Sequence, residues 1–399
     1  MTRLRVGVIG AGRRSTHYIR TIPAELRPHV QVVAIADPDE ANRASFAGLL
    51  NGHVPRQYAA GKELLETEEL DALIIGSPNH VHVDDMLLAL PRRIPILFEK
   101  PVAITLDECR QLWQAYLDAG QPPVTVGFVL RYSPFYATAK QLLDEGALGQ
   151  VLTIDADEII GTPLTGVFFR GWRRWDRLTG SFIVTKCCHD FDILNWLTGA
   201  HAEQVFSLAR RTHFTPRPSG ERHARFEGSA EMDFGQARDN VKFAEGEEGS
   251  PYDSTSEVPD HQTVTIAFDN GIISSFTACL AQPRTTRRLR VYGSDGALTG
   301  DVRDWRLRIE KPTADPASVD ANEITLPATD GSHYGADPII GRAFWGGALG
   351  ESTTIRAGIR EGIEAVLVGI AARESARSGL PVDVRRLRHE VFGEDLTDV

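Results

Sequence analysis

Gly7-Val8-Ile9-Gly10-Ala11-Gly12-Arg13-Arg14-Ser15 decides the fold. It overlaps the end of an apolar run, 4–9, and leads into a segment, 16–26, that can form a helix. Strand, glycine turn and helix N-terminus in that order make a seat for a dinucleotide pyrophosphate. Gly10 permits the tight turn, and Gly12 lets the backbone approach the phosphates. Ser15 takes the third position of the G-x-G-x-x-G pattern and is small enough for close helix–strand packing. Asp37 follows the next strand, 30–36, and lies 22 residues beyond Ser15. An acid there accepts from a ribose 2′-hydroxyl and repels a 2′-phosphate, which favours NAD over NADP. Arg13 and Arg14 keep NADP open, because either could pair a phosphate.

Outward from this turn, apolar runs at 72–75, 94–98 and 124–128 alternate with helical segments at 40–50, 64–69, 81–90 and 106–119. That alternation predicts a doubly wound parallel sheet over residues 1–130. Beyond about residue 149 the pattern becomes β-rich, with runs at 151–160, 205–209, 263–268, 272–278 and 289–292. Asp269-Asn270-Gly271 and Ser294-Asp295-Gly296 read as turns between them. Residues 131–399 are therefore expected to form an α+β domain on a large, mainly antiparallel sheet, with a long helix at 354–377 that could pack back on the first domain. The stretch 212–260 is polar and weakly periodic, and reads as an irregular insertion.

A net charge of −11 argues against a nucleic-acid or membrane-surface protein. No apolar stretch reaches membrane-span length, and the first five residues run into a strand without a secretory segment. Cys109, Cys187, Cys188 and Cys279 show no metal-ligand spacing. These features predict a reduced, cytoplasmic protein with no structural metal.

Glu99-Lys100-Pro101 ends the strand at 94–98. A lone lysine is usually a surface residue, but this one falls at a carboxyl strand end, where open α/β sheets bind ligands. Ser77-Pro78-Asn79-His80-Val81-His82 follows the strand at 72–75 in the same way. Far downstream, His189 begins a helix with apolar residues Phe191, Leu194 and Leu197 on one face. A histidine suits proton exchange with a hydroxyl, though its local sequence equally allows a satisfied core residue.

Together these segments resemble the Gfo/Idh/MocA oxidoreductases, the family of glucose-fructose oxidoreductase and inositol dehydrogenase. The resemblance also takes in Arg131-Tyr132-Ser133-Pro134-Phe135-Tyr136, Gly146-Ala147-Leu148-Gly149-Gln150-Val151 and Leu380-Pro381-Val382. It implies a Rossmann domain, a C-terminal α/β domain whose open sheet forms an oligomer interface, and bound NAD(P). It implies catalytic roles for a lysine matching Lys100 and a histidine matching His189. Cofactor contacts are expected from Gly10, Gly12, Arg13, Arg14, Ser15, Asp37, Ser77, Asn79, His82, Glu99, Lys100 and Arg131. Many sugar dehydrogenases of the family carry an aspartate four residues before the histidine. Thr185 stands there in this chain, followed by Lys186, which becomes a third catalytic candidate.

Arg170, Arg173, Arg174, Arg177 and Lys186 crowd the approach to His189, with Asp176 the one acid among them and Trp172 and Trp175 interleaved. Arginine forks pair anionic groups and indole rings suit sugar faces, so the expected substrate is a sugar bearing an anionic group. Tyr132, Arg170, Trp172, Arg173, Lys186 and His261 are the candidates to line its pocket. The leading expectation is an NAD-dependent oxidoreductase of a ring hydroxyl, acting as a dimer or tetramer. The alternative is a redox-neutral NAD-dependent glycosidase that oxidises C3, eliminates the aglycone, adds water and returns the hydride. A non-enzymatic NAD-binding regulator on the same fold predicts loss of Lys100 or His189, and both are present.

Overall fold

The computed structural model describes residues 3–50, 53–161, 166–169, 171–215, 252, 255–328 and 333–393. The chain divides into two compact units: Met1–Ser133 with Asp330–Ile363, and Pro134–Thr329 with Glu364–Val399.

In the first unit, strands β1 (Leu4–Ile9), β2 (Val30–Ala36), β3 (Arg56–Tyr58), β4 (Ala72–Ile75), β5 (Ile96–Phe98) and β6 (Val124–Val126) form one sheet in the order β3-β2-β1-β4-β5-β6. Every pairing is parallel. This is the doubly wound order, and it places the ends of β1 and β4 at the switch point where ligands bind. The helices are α1 (Arg13–Arg20), α2 (Glu40–Ala47), α3 (Gly61–Thr67), α4 (His82–Ala89) and α5 (Leu106–Asp118). The predicted helix at 16–26 instead starts at Arg13, because Gly12 is its N-cap, and it stops before Pro23. Thr105 and Glu108 close a reciprocal capping box at the start of α5. The core packs Val6, Val8, Ile35 and Ile74 from the strands against Tyr18 and Ile22. Phe344 and Trp345 join it from α6 (Ala336–Ala348), although that helix lies more than 260 residues beyond Ile74.

In the second unit, nine strands form one sheet. Numbered in chain order they are β7 (Val151–Gly161), β8 (Ala202–Arg210), β9 (His261–Phe268), β10 (Ile273–Gln282), β11 (Arg288–Gly293), β12 (Gly296–Asp301), β13 (Arg306–Pro312), β14 (Val319–Thr325) and β15 (Val382–Asp383). The order is β14-β13-β12-β11-β7-β10-β9-β8-β15. All neighbours are antiparallel except β7 and β10. Both turns read from the sequence are present, with Gly271 and Gly296 at φ of 83° and 159°. Strict alternation of buried and exposed residues along β9 and β10 leaves one face of the sheet covered and one open. The helix containing His189, Cys188–Thr198 (α7), ends at Gly199, which adopts the left-handed conformation. The long helix runs over Ile359–Ser378. Most of the predicted insertion, 216–251, lies outside the described residues.

Candidate active site

The site residues of the first unit cluster at the carboxyl ends of its strands. Gly10 sits at φ 83° and donates its N–H to the Ala36 carbonyl at 2.8 Å. A Cβ there would fall 2.5 Å from the Ser77 nitrogen, so only glycine fits. A Cβ on Gly12 would meet nothing within 4 Å, and the first turn of α1 carries no acid. The helix N-terminus therefore opens onto space with its N–H groups and positive dipole end unopposed by an acid of its own first turn, which is what a pyrophosphate requires. Ser15 is buried, and a Cβ on Gly76 would collide with its Oγ. The third pattern position is small because α1 rides close to the end of β4. Gly10→Ala is expected to weaken NADH binding at least about tenfold by forcing this turn open, as read by quenching of protein fluorescence.

Asp37 does more than wait for a ribose. Its Oδ2 accepts from the Ala11 N–H at 3.0 Å, and its Oδ1 accepts from Asp39 N and Asn42 Nδ2 at 2.9 and 3.2 Å. The carboxylate thus braces the glycine turn and keeps acceptor capacity for a hydroxyl. Arg13 is exposed at the mouth of the turn. Arg14 corrects the sequence reading. Its guanidinium turns toward the end of β5, where Nε donates to Glu99 Oε1 at 2.9 Å, while Nη1 and Nη2 donate to Asp337 Oδ1 at 3.1 and 3.2 Å. The end of β5 lies on the opposite side of β1 and β4 from Asp37, so Arg14 is spent on carboxylates away from the ribose end. Buried Glu99 also accepts from the Tyr18 hydroxyl, and its Oε2 accepts the Lys100 N–H at 3.2 Å. Burial alone would raise the Glu99 pKa, but the charges of Arg14 and Lys100 and these hydrogen bonds bring it below the usual carboxylate value.

Ser77 Oγ donates to Asp85 Oδ2 at 2.6 Å, which leaves its oxygen to accept from His82 Nδ1 at 3.3 Å. Asn79 is buried at the entrance to α4. His82 is buried with its ring edge-on to Phe98, centroids 5.4 Å apart, so it orders Ser77 rather than presenting an exposed ring. Burial, with smaller contributions from Lys100 and His80, lowers its pKa to about 4. The unfolded chain protonates His82 near its ordinary value while the folded chain resists. Stability is therefore expected to fall by about 3 kcal/mol as pH drops from about 7 to 4. His82→Gln should flatten that part of the pH dependence in urea melts. Arg131 and Tyr132 also depart from expectation. Arg131 Nη1 donates to the Arg356 carbonyl and Arg356 Nη1 to the Arg131 carbonyl, each at 2.5 Å. The buried Tyr132 hydroxyl accepts the Arg356 N–H at 2.9 Å. Both residues make structural ties within this unit, and Tyr132 is part of its core.

In the second unit His189 is the second residue of α7 and is buried. Lys186 Nζ lies 3.6 Å from Glu158 Oε1 on β7, with the lysine side chain 23% exposed. Buried Arg287 pairs with Glu158 and reaches Asp190 Oδ1 at 3.1 Å through Nε. Glu158, a carboxylate on strand β7, meets Lys186, the residue that follows Thr185. The guanidinium of Arg173 lies over Trp172 at 4.5 Å, and that of Arg174 over Trp175 at 4.7 Å. Asp176, the acid of that segment, pairs with Arg377. Arg170 lies outside the described residues. His261 opens β9 with its side chain 45% exposed and Nδ1 2.7 Å from Asp260 Oδ1. The other Asp260 oxygen accepts the N–H groups of Thr212, His213 and Phe214. Among the described residues no group of three or more His, Cys, Asp and Glu side chains could hold a metal ion, and no helix is long and apolar enough to cross a membrane.

Residues 4–128 match the description "Oxidoreductase family, NAD-binding Rossmann fold", and residues 140–384 match "Oxidoreductase family, C-terminal alpha/beta domain". The chain belongs to the Gfo/Idh/MocA oxidoreductase family. Within the family, it is 24% identical over 404 residues to YteT of Bacillus subtilis (strain 168), which carries the name of a candidate oxidoreductase; the match covers 91% of this chain and 92% of that one. It is 30% identical over 219 residues to inositol 2-dehydrogenase 2 of Saccharopolyspora erythraea, covering 54% of this chain and 58% of that protein. The fold matches levoglucosan dehydrogenase in complex with NADH, with a TM-score of 0.76, 19% identity, and 96% and 99% of the two chains covered. This Gfo/Idh/MocA oxidoreductase thus has an NAD-binding Rossmann domain, and the open α1 N-terminus, Gly12 and Asp37 fit that cofactor. Glu158, Arg287 and Asp337 escaped the sequence reading. Acids inside a strand run, Asp155-Ala156-Asp157-Glu158-Ile159, were the one signal for Glu158.

Proposed function

We propose that this oxidoreductase is an NAD-dependent dehydrogenase of a ring hydroxyl on a sugar or cyclic polyol. The observation that carries the reading is the open N-terminus of α1 in the same unit as a half-buried lysine, Lys100, just beyond the end of β5. The inositol and levoglucosan named for its relatives supply the substrate class. Bound NAD supplies a hydride acceptor. Gly12 and the α1 N–H groups would hold its pyrophosphate, and Asp37 would take a ribose hydroxyl. Lys100 holds positive charge for a developing alkoxide, and the His189 imidazole accepts the hydroxyl proton. The reading includes an anionic substituent on the substrate, supported by Arg173, Arg174 and Arg177 beside a single acid already paired with Arg377. The pairing of Lys186 with Glu158 supports an orienting role for that lysine.

The test is NADH formation, followed by absorbance, with NAD and a panel of myo-inositol, levoglucosan, glucuronate and an aryl glucuronide. NADH formed in step with substrate loss supports the dehydrogenase, and preference for glucuronate over the neutral rings supports the anionic substituent. Release of the aryl group without NADH would replace the reading by the redox-neutral glycosidase. Self-association is proposed through the open sheet face, where Phe206, Leu208, Ile273 and Tyr292 are exposed. Ile273→Lys with Leu208→Lys is expected to shift sedimentation toward the single chain.

A further inference from the structure

We propose that Asp337 and Arg14 are positioning residues for Lys100, acting through Glu99. The inference rests on the reading of Lys100 as part of the hydride-transfer site. Asp337 is the second residue of α6, and the chain is bent to deliver it. His333, Tyr334 and Gly335 just before it all lie in the left-handed region, at φ of 51°, 56° and 75°. Two of the three are not glycine, so the turn is unfavourable by itself. It is held by His333 Nδ1, 2.7 Å from Asp337 Oδ2, and by the Ala336 N–H donating to the His333 carbonyl. His17 Nε2 approaches the same oxygen at 3.2 Å. Asp337 is fully buried. Burial would raise its pKa, yet hydrogen bonds from His17 and His333, with the charges of His333 and Arg14, hold it far below the usual carboxylate range. It is a permanent buried anion.

One guanidinium serves two carboxylates here. Arg14 gives two N–H groups to Asp337 Oδ1, one to Glu99 Oε1 and one to the Tyr18 hydroxyl, which itself donates to Glu99 Oε1. Glu99 is thereby clamped by one oxygen, its other oxygen receives the Lys100 backbone N–H, and the Lys100 side chain feels Glu99 through charge. The ionisable groups of this unit around the chain of contacts are Arg14, His17 and Tyr18 on α1, His80 and His82 at α4, Glu99 and Lys100 after β5, and His333 and Asp337. How Arg14 divides its charge sets how much of the Glu99 charge reaches Lys100. Without the Asp337 charge, Arg14 neutralises Glu99 more fully and Lys100 gives up its proton more readily. Without Arg14, Glu99 acts undiluted and Lys100 keeps its proton longer.

These opposite signs make the test. The chain has six lysines, so reductive methylation with an isotopic label, which preserves charge, gives few NMR signals, and Lys100→Arg assigns one of them. Asp337→Asn is expected to lower the Lys100 titration midpoint, and Arg14→Gln to raise it, each by about half a pH unit or more. Glu99→Gln, nearly isosteric, should lower it and serves if Arg14→Gln does not fold. In the Glu99→Gln background both shifts should shrink, whereas shifts of full size there would mark direct charge effects that bypass Glu99 and would overturn the proposal. Shifts of the same sign, or a midpoint unmoved by Glu99→Gln, would overturn the proposal. Because the titration needs no substrate, it is separable from the functional reading. Normal turnover by Lys100→Met would sink the catalytic role of Lys100 and leave the titration result standing.

Discussion

Lys100→Met is expected to lower NAD-dependent turnover at least about a hundredfold, within the range of general acid–base and charge-stabilising groups. The affinity for NADH should stay close to that of the parent chain. The side chains are similar in length, and Lys100 is half-buried, so methionine removes the charge with little loss of packing. The proposed pyrophosphate seat at Gly12 and the proposed ribose contact at Asp37 lie at the ends of β1 and β2, away from β5, and are left intact. The diagnostic result is therefore a split: kcat falls and cofactor affinity does not. A fall in both together would place Lys100 among the cofactor-holding residues and remove it from the chemistry. The same split should not be seen in Gly10→Ala, where cofactor affinity is the first quantity lost.

The sheet of the first unit was legible because it is buried on both faces. Runs such as Leu4–Ile9 and Ala72–Ile75 are continuously apolar, and no amphipathic compromise obscures them. β3, Arg56–Tyr58, was not legible, since it is a three-residue edge strand of polar residues. α6 was missed for another reason. Its sequence, with glycines at 341, 346 and 347, reads as poor helix, and its apolar face is completed by residues of β1 and α1 that no local window contains. β12 to β14 escaped because their exposed positions carry arginines, acids and glycine instead of a regular apolar alternation.

At the candidate site, the backbone geometry of the glycine turn was legible and the pairing of its charged side chains was not. Gly10, Gly12 and Asp37 follow from turn geometry, which sequence spacing encodes. Which carboxylate meets which cation depends on contacts between distant segments. Arg14 and Asp337 are 323 positions apart, and Lys186 takes Glu158 from a strand several elements earlier. So the sequence did not show that two buried acids bind Arg14, or that the Tyr132 hydroxyl is tied to the Arg356 backbone.

Arg287→Met is expected to cost about 3–5 kcal/mol of stability, the largest single loss in the second unit. Arg287 is buried just before β11, and it joins Glu158 of β7 to Asp190 of α7. Its loss would leave Asp190 buried without this cation and Glu158 with Lys186 at 3.6 Å as its remaining ion pair. A neutral side chain of similar volume fills the space, so the deficit would be electrostatic. Two checks distinguish this from a packing defect. The deficit should shrink as pH is lowered, because a proton on either carboxylate replaces the lost cation. Glu158→Gln in the same chain should recover part of it, since one of the two stranded charges is then gone. Urea midpoints at two pH values measure both. A deficit independent of pH and untouched by Glu158→Gln would show that Arg287 acts by volume alone. The consequence for activity follows from chain order. Asp190 succeeds His189 in the first turn of α7, where its charge also meets the positive end of the helix. Releasing Asp190 loosens that turn, so NADH formation in Arg287→Met should decline at temperatures well below its melting point.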